Sequence, residues 1–268
     1  MTYTTLTISR SGKKGNCDGA CATVTLNRPD VRNAFNEITI AEITRAFREL
    51  GAQSEVRAIV LAANGPAFCA GADLNWMKKM AGYTHAENQA DALQLAEMLR
   101  TIYLCPQPVV ARVQGDCYAG GMGLVAACDI VIAVEEANFC LSEVRLGLIP
   151  ATIAPYVIKA MGEQAARRYF LTAERFDAQQ ALRLGVAHEV VAAAALDDKV
   201  AEIVKALVNN SPNAVQQAKV LVREVTGQTV NDALLADTAQ RIAHIRASEQ
   251  GREGVASFLE KRKPAWLN

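Results

Sequence analysis

Three apolar runs of strand length constrain this chain more than any other feature. Arg57-Ala58-Ile59-Val60-Leu61-Ala62, Pro108-Val109-Val110-Ala111-Arg112-Val113 and Ile130-Val131-Ile132-Ala133 are almost unbroken by polar residues. A strand with one wet face alternates apolar and polar side chains. A continuous run belongs to a strand covered on both faces, as in parallel sheets flanked by crossover helices. The segments between these runs read as helices. Asn36 through Leu50 places Ile38, Ile40, Ile43, Phe47 and Leu50 near helical spacing, and His85 to Tyr103 does so with Leu93, Leu95, Ala96, Leu99 and Ile102. This rhythm requires right-handed crossovers and a mainly parallel sheet, so the expected class is α/β. Ala22–Leu26 alternates as a half-buried strand, ended by Arg28-Pro29-Asp30. Residues 1–8 read as a strand that starts at once, with neither a signal peptide's apolar core nor a transit peptide's Arg-rich helix.

After about Pro150 the pattern turns helical, over 163–171, 178–184, 196–208, 213–225, 231–247 and 254–261. Ser211-Pro212-Asn213 is a helix-start signal, with Ser as cap and Pro just inside. No Gly/Ser/Pro-rich linker intervenes, so the expected organisation is a core over 1–195 and a helical region over 196–268 that packs on the core or on a neighbouring subunit.

Lys and Arg (28) balance Asp and Glu (28), which gives no support to bulk attraction to nucleic acid or anionic lipid. A hydrophobic share of 51% with no net charge disfavours disorder. No run of 18 apolar residues spans a membrane. The seven cysteines are odd in number and mostly lie in apolar surroundings. Cys17 and Cys21 lack a nearby His or second Cys pair to complete a zinc site. The expectation is a soluble cytoplasmic protein with reduced thiols and no metal.

Three segments could carry chemistry. In Phe68-Cys69-Ala70-Gly71-Ala72-Asp73-Leu74, small residues let a backbone approach a ligand, and a helix opening at Asp73 would aim amides at an anion. It could equally be a tight strand-to-helix turn. In Gln114-Gly115-Asp116-Cys117-Tyr118-Ala119-Gly120-Gly121-Met122-Gly123-Leu124, clustered glycines either expose amides at a helix start or permit dense helix–sheet packing. Gly121 to Ala126 also fits a dinucleotide fingerprint, with Glu143 as the distal acid, but seven residues separate it from the strand ending at Val113. Glu143 itself is a lone carboxylate in apolar, Gly/Pro-punctuated sequence. Such a setting raises an acid's pKa toward neutrality and suits proton transfer, unless Arg145 pairs with it or it caps a helix. His85, His188 and His244 are scattered and read as surface or structural residues.

In order along the chain, Leu26-Asn27-Arg28-Pro29 with Asn33-Ala34-Phe35, Ala67 to Leu74, Pro108-Val109, Ala127-Cys128-Asp129, Gly147-Leu148-Ile149-Pro150 and Arg252 to Arg262 resemble the enoyl-CoA hydratase/isomerase (crotonase) superfamily. The resemblance runs nearly end to end. It implies a spiral of ββα units with a helical C-terminal trimerisation region, assembled as a homotrimer or dimer of trimers. It implies an acyl-CoA substrate, no prosthetic group, and an oxyanion hole from the amides of Ala72 and Gly120. The CoA moiety would lie along Asp30, Val31, Arg32, Ala70, Ala72, Asp73 and Leu74, with Lys78, Lys79 or Lys261 near its phosphates and residues 76–83 about the acyl chain. Of the two glutamates common in the family's hydratases, one falls on Glu143 and the other on Gly123. Residues 73–80, 121–125 and 142–151 further resemble hydratases of 3-methylglutaconyl-CoA in leucine breakdown and of carboxygeranoyl-type esters. That resemblance implies a dicarboxylyl substrate whose second carboxylate, or a water, fills the space at Gly123. Alternatives are a double-bond isomerase using Glu143 alone, and a non-catalytic CoA- or RNA-binding scaffold.

Overall fold

A computed structural model describes residues 2–10 and 19–267; Cys17, of the Cys17/Cys21 pair, lies outside them. The chain runs β1 (Leu6–Arg10), β2 (Cys21–Leu26), α1 (Glu37–Gly51), β3 (Ala58–Ala63), β4 (Ala67–Cys69), α2 (Leu74–Met80), α3 (His85–Tyr103) and β5 (Val109–Val113). It continues through β6 (Asp116–Tyr118), α4 (Gly120–Ala127), β7 (Ile130–Val134), β8 (Asn138–Cys140), α5 (Ala154–Thr172), β9 (Phe176–Asp177), α6 (Ala178–Arg183) and β10 (Glu189–Val191). Four helices finish it: α7 (Leu196–Asn209), α8 (Pro212–Val225), α9 (Asp232–Ala247) and α10 (Glu249–Leu259).

The larger sheet has the order β1-β2-β3-β5-β7-β10, and only its β1–β2 pair is antiparallel. Every residue of β3 is buried, as its unbroken apolar run requires. A second sheet, β4-β6-β8-β9, is not marked by any apolar run of the sequence. Its first three strands have three residues each, too short to show a period of two. The stretch between Val113 and Gly120 therefore holds β6 and is not one long loop. The pairs β3–β4, β5–β6 and β7–β8 each send their first strand to the larger sheet and their second to the smaller. This repetition is the expected ββα spiral. Because β4, β6 and β8 pair in parallel, the segments following them emerge together along one edge.

Local chemistry sets several helix starts. Asn36 caps α1 through Thr39 N–H, Thr84 and Glu87 form a reciprocal capping box on α3, and Ser211 caps α8 ahead of Pro212. The helix expected from residue 163 begins earlier, at Ala154, with a non-helical break at Gly162. The N-terminal strand starts at Leu6. α7 buries Leu196, Val200, Val204 and Val208 along one stripe against β3, β5 and β7. Among the described residues α8 and α9 bury none and α10 only Ser257, while Val222, Leu235, Phe258 and Leu259 stand exposed. Lys219 anchors α8 to the core, donating to Asp129 Oδ2 at 2.6 Å and to the Gln107 carbonyl at 3.1 Å. No helix among the described residues is long and apolar enough to cross a membrane.

Candidate active site

The three chemically marked segments follow β4, β6 and β8, so the strand stacking brings them side by side. After β4, Phe35 forms a parallel bridge to Ala72: its N–H donates to Gly71 O at 2.9 Å and its carbonyl accepts from Asp73 N–H at 3.0 Å. In such a bridge the flanking residues make the bonds, so the N–H of Ala72 points the other way. After β6, Ala119 takes φ 47° and ψ −121°. A non-glycine residue there stores about 1–3 kcal/mol of strain and needs its surroundings to hold it. Its N–H donates to Cys140 O on β8 at 2.8 Å. Gly120, next in line, opens α4, where an amide has no intrahelical acceptor. Among the described residues neither the Ala72 nor the Gly120 amide donates to a protein acceptor. The two turns touch: at Gly71, with φ 94°, an added Cβ would lie 3.0 Å from Ala119 Cβ and 3.8 Å from the Gly120 nitrogen. Two adjacent unused amides of this kind can hold a developing oxyanion.

After β8, Glu143 opens a single 3-10 turn ending at Leu146. Its Oε2 is buried without a hydrogen-bond partner. Burial pushes its pKa up, and only its own backbone amide pulls the other way. The pairing with Arg145 that the sequence left open is not made: Arg145 donates to Ala173 O, at the left-handed end of α5. Cys140 Sγ reaches the same carbonyl at 3.2 Å. The turn carrying Glu143 is thus fastened on both sides while Oε2 of its carboxylate stays without a partner.

Gly123 overturns one expectation. A Cβ there would meet Ile153 Cγ2 at 2.3 Å, Ile153 Cβ at 2.9 Å and Leu99 Cδ1 at 3.4 Å. The space directly over Gly123 is filled by hydrocarbon, so neither a water nor a substrate carboxylate sits against its Cα. The neighbouring glycines serve packing and amide exposure together. A Cβ on Gly120 would sit 2.3 Å from Phe35 Cζ, and one on Gly121 2.9 Å from Cys69 O.

The turn bearing Asp30, Val31 and Arg32 is exposed and joins the second segment, since Ala70 N–H donates to Arg32 O at 3.0 Å. Leu74 is 74% exposed beside it. Asp73 is not available to a ligand, correcting that expectation for its side chain. Oδ1 caps α2 through Asn75 and Trp76, and Oδ2 accepts from Arg28 at 2.8 Å. Burial raises its pKa, but Arg28 and the cap amides outweigh this and hold it below the ordinary value. Lys79 pairs with Glu37 at 2.7 Å on the surface, while Lys78 is exposed one residue earlier. Lys261 follows the end of α10, whose packing partners are α8 and α9. Trp76, expected about the acyl chain, is buried against Phe35 and donates Nε1–H to Asp91 at 3.2 Å. His188 is structural, accepting from Val131 N–H at 2.9 Å. Among the described residues no three His, Cys, Asp or Glu side chains gather as a metal site. Phe35, Ala119 and Ile153 shape the site although nothing in their identities marks them for it.

The family model for enoyl-CoA hydratase/isomerase matches residues 16–268. The fold closely follows an enoyl-CoA hydratase from Shewanella pealeana, with TM-score 0.93 and 42% identity over 98% of this chain and 96% of that one. Curated relatives include the short-chain-enoyl-CoA hydratase of Clostridium acetobutylicum, 32% identical over 92% of this chain and 94% of the relative. The mevalonyl-coenzyme A hydratase sidH of Aspergillus fumigatus is 36% identical over 91% and 90%. With two free amides and a glutamate whose Oε2 is buried without a partner on the segments that follow β4, β6 and β8, and these similarities across nearly the whole chain, the protein belongs to the enoyl-CoA hydratase/isomerase (crotonase) family.

Proposed function

We propose that the protein adds water across the 2,3 double bond of an enoyl-CoA thioester, with Glu143 both taking and returning the transferred proton. The observation that carries this reading is the buried Glu143 Oε2 without a hydrogen-bond partner, on the segment that follows β8 next to those bearing the two free amides. Glu143 takes a proton from water as the water oxygen bonds to C3. The electron pair of the double bond moves onto the thioester oxygen, where the amides of Ala72 and Gly120 receive it. The enolate then collapses and Glu143 returns the proton to C2, so one water is added and the carboxylate regenerated. Each oxyanion donor is worth about 3–4 kcal/mol of barrier. Hydrocarbon at Gly123 means no second acid acts from that position, and one carboxylate must serve in both directions.

The substrate class we favour is a branched dicarboxylyl enoyl-CoA such as 3-methylglutaconyl-CoA, a step of leucine breakdown. Its support is the run of motifs at 73–80, 121–125 and 142–151, and its second carboxylate must lie elsewhere than at Gly123. CoA enters as part of the substrate, along Asp30–Arg32 and Ala70–Leu74 with Lys78 or Lys261 toward its phosphates. The exposed apolar residues of α8–α10 support assembly as a trimer or dimer of trimers, with the cytoplasm as the compartment. The single carboxylate also favours a second reading, in which Glu143 carries a proton between C2 and C4 as an isomerase.

The test follows the conjugated enoyl-thioester absorbance with 3-methylglutaconyl-CoA, crotonyl-CoA and a 3-enoyl-CoA in parallel. Loss of absorbance on the first, with one water gained in mass and little reaction of the second, supports the proposal. A rise in absorbance on the 3-enoyl ester with no hydration replaces it by the isomerase. Equal behaviour of wild type and Glu143→Gln on all three refutes both.

A further inference from the structure

We propose that Phe35 is a positioning residue that sets both amides of the oxyanion site, an inference that rests on the hydratase reading above. Its backbone does one half of the work. By bonding Gly71 O and Asp73 N–H at 2.9 and 3.0 Å, Phe35 fixes the plane of the intervening residue and turns the Ala72 amide outward. Its ring does the other half. The ring carbons Cζ, Cε1 and Cε2 lie 2.3, 2.9 and 3.3 Å from where a Cβ of Gly120 would stand, so the ring rests directly on the Gly120 backbone. That backbone follows the strained Ala119 and needs such a support.

The ring is itself held. Phe35 is 1% exposed, and the Trp76 ring packs against it with centroids 6.1 Å apart at 53°. Trp76 is in turn tied to α3 through Nε1–H to Asp91 Oδ1 at 3.2 Å. One residue therefore spaces the two donors, and its own position is referred through Trp76 to a long helix. Catalysis by paired donors is steep in geometry: a misplacement of about 1 Å costs on the order of 100-fold in rate.

Phe35→Ala keeps the backbone bridge and removes the ring, so it should free the Gly120 amide while leaving the Ala72 amide in place. The probe is an enoyl-CoA with an electron-donating aryl group, whose absorption shifts to the red when its carbonyl is polarised. Wild type should show the shift, and Phe35→Ala should lose most of it, with kcat down about 100-fold and KM changed far less. Phe35→Leu fills most of the volume without reaching Gly120, and should retain the fold with a reduced shift and kcat about tenfold down. If Phe35→Ala does not fold, the leucine variant decides. Wild-type red shift and kcat in either folded variant overturn the proposal, whatever the change in thermal stability. Absence of a red shift in wild type itself counts against the hydratase reading, and so separates the two failures.

Discussion

The hydrocarbon seal at Gly123 makes a prediction whose sign is decisive. Gly123→Ala places a methyl inside α4, and in an unobstructed helix that change stabilises by about 1 kcal/mol. Here the new carbon would stand 2.3 Å from Ile153 Cγ2, against an optimal carbon–carbon separation of about 3.5–4.0 Å. Ile153 would have to retreat by more than about 1 Å. It is 1% exposed, β-branched, and its carbonyl accepts from Tyr156 and Val157 at the start of α5, so rotating χ1 only exchanges one branch for another. Overpacking of this kind costs about 2–3 kcal/mol, which outweighs the helix gain and leaves a net loss of about 1–2 kcal/mol. At about 2 °C for each kcal/mol, Tm should fall by about 2–4 °C. The assay is calorimetry and urea unfolding on wild type, Gly123→Ala, Ile153→Ala and the double variant. Ile153→Ala alone should cost about 2–5 kcal/mol through its cavity. The double variant should be less destabilised than the two changes added, by about 1 kcal/mol or more, because the new methyl then occupies the vacated space. A Gly123→Ala protein with unchanged or raised Tm, or strict additivity in the cycle, would show slack beside α4. That result would refute the argument that this fold admits no acid at position 123.

The remaining predictions concern charge. Glu143→Gln should lower turnover by about 10²–10⁴-fold, and the acid limb of the wild-type kcat/KM profile should lie above the ordinary carboxylate range, because burial raises this pKa. The same shift means the ionised carboxylate costs stability, a penalty that appears as pH rises from the ordinary glutamate value through the raised one. Glu143→Gln should therefore raise Tm at neutral pH and lose that advantage below about pH 4, which thermal melts across pH will check. Arg28→Ala should destabilise by about 2–3 kcal/mol in urea unfolding, since it leaves Asp73 buried without its cation. Asp73 has a lowered pKa, so its contribution is present above the unfolded value and lost as pH falls through the folded one. In Arg28→Ala the folded-state pKa should move up toward the unfolded one, so the share of acid destabilisation due to Asp73 should shrink in melts across pH.

What was legible in the sequence divides by whose chemistry sets a residue's role. β3, β5 and β7 could be read because burial on both faces dictates their own composition, and the start of α8 because Ser211 and Pro212 each act on their own backbone. Glu143 could be read as a lone carboxylate in apolar sequence, but whether Arg145 pairs with it could not, and only the structure shows Arg145 turning to Ala173. β4, β6 and β8 could not, since a strand of three residues is defined by its neighbours' register and not by any period of its own. The same holds within the site. Ala119 carries its strained dihedrals because β8 holds its amide, not because alanine favours them. Gly120, Gly121 and Gly123 look alike in sequence, yet they are glycine for three different reasons: a ring, a carbonyl and an isoleucine methyl, each delivered by a distant segment. The fingerprint at Gly121–Ala126 misleads for this reason, because it matches the residues without the contacts that make them necessary. The proposed oxyanion donors are backbone groups, so side-chain chemistry alone cannot announce them. Their signature is the exclusion of Cβ atoms around them, and that exclusion acquires meaning only once Phe35 and Ile153 are in place.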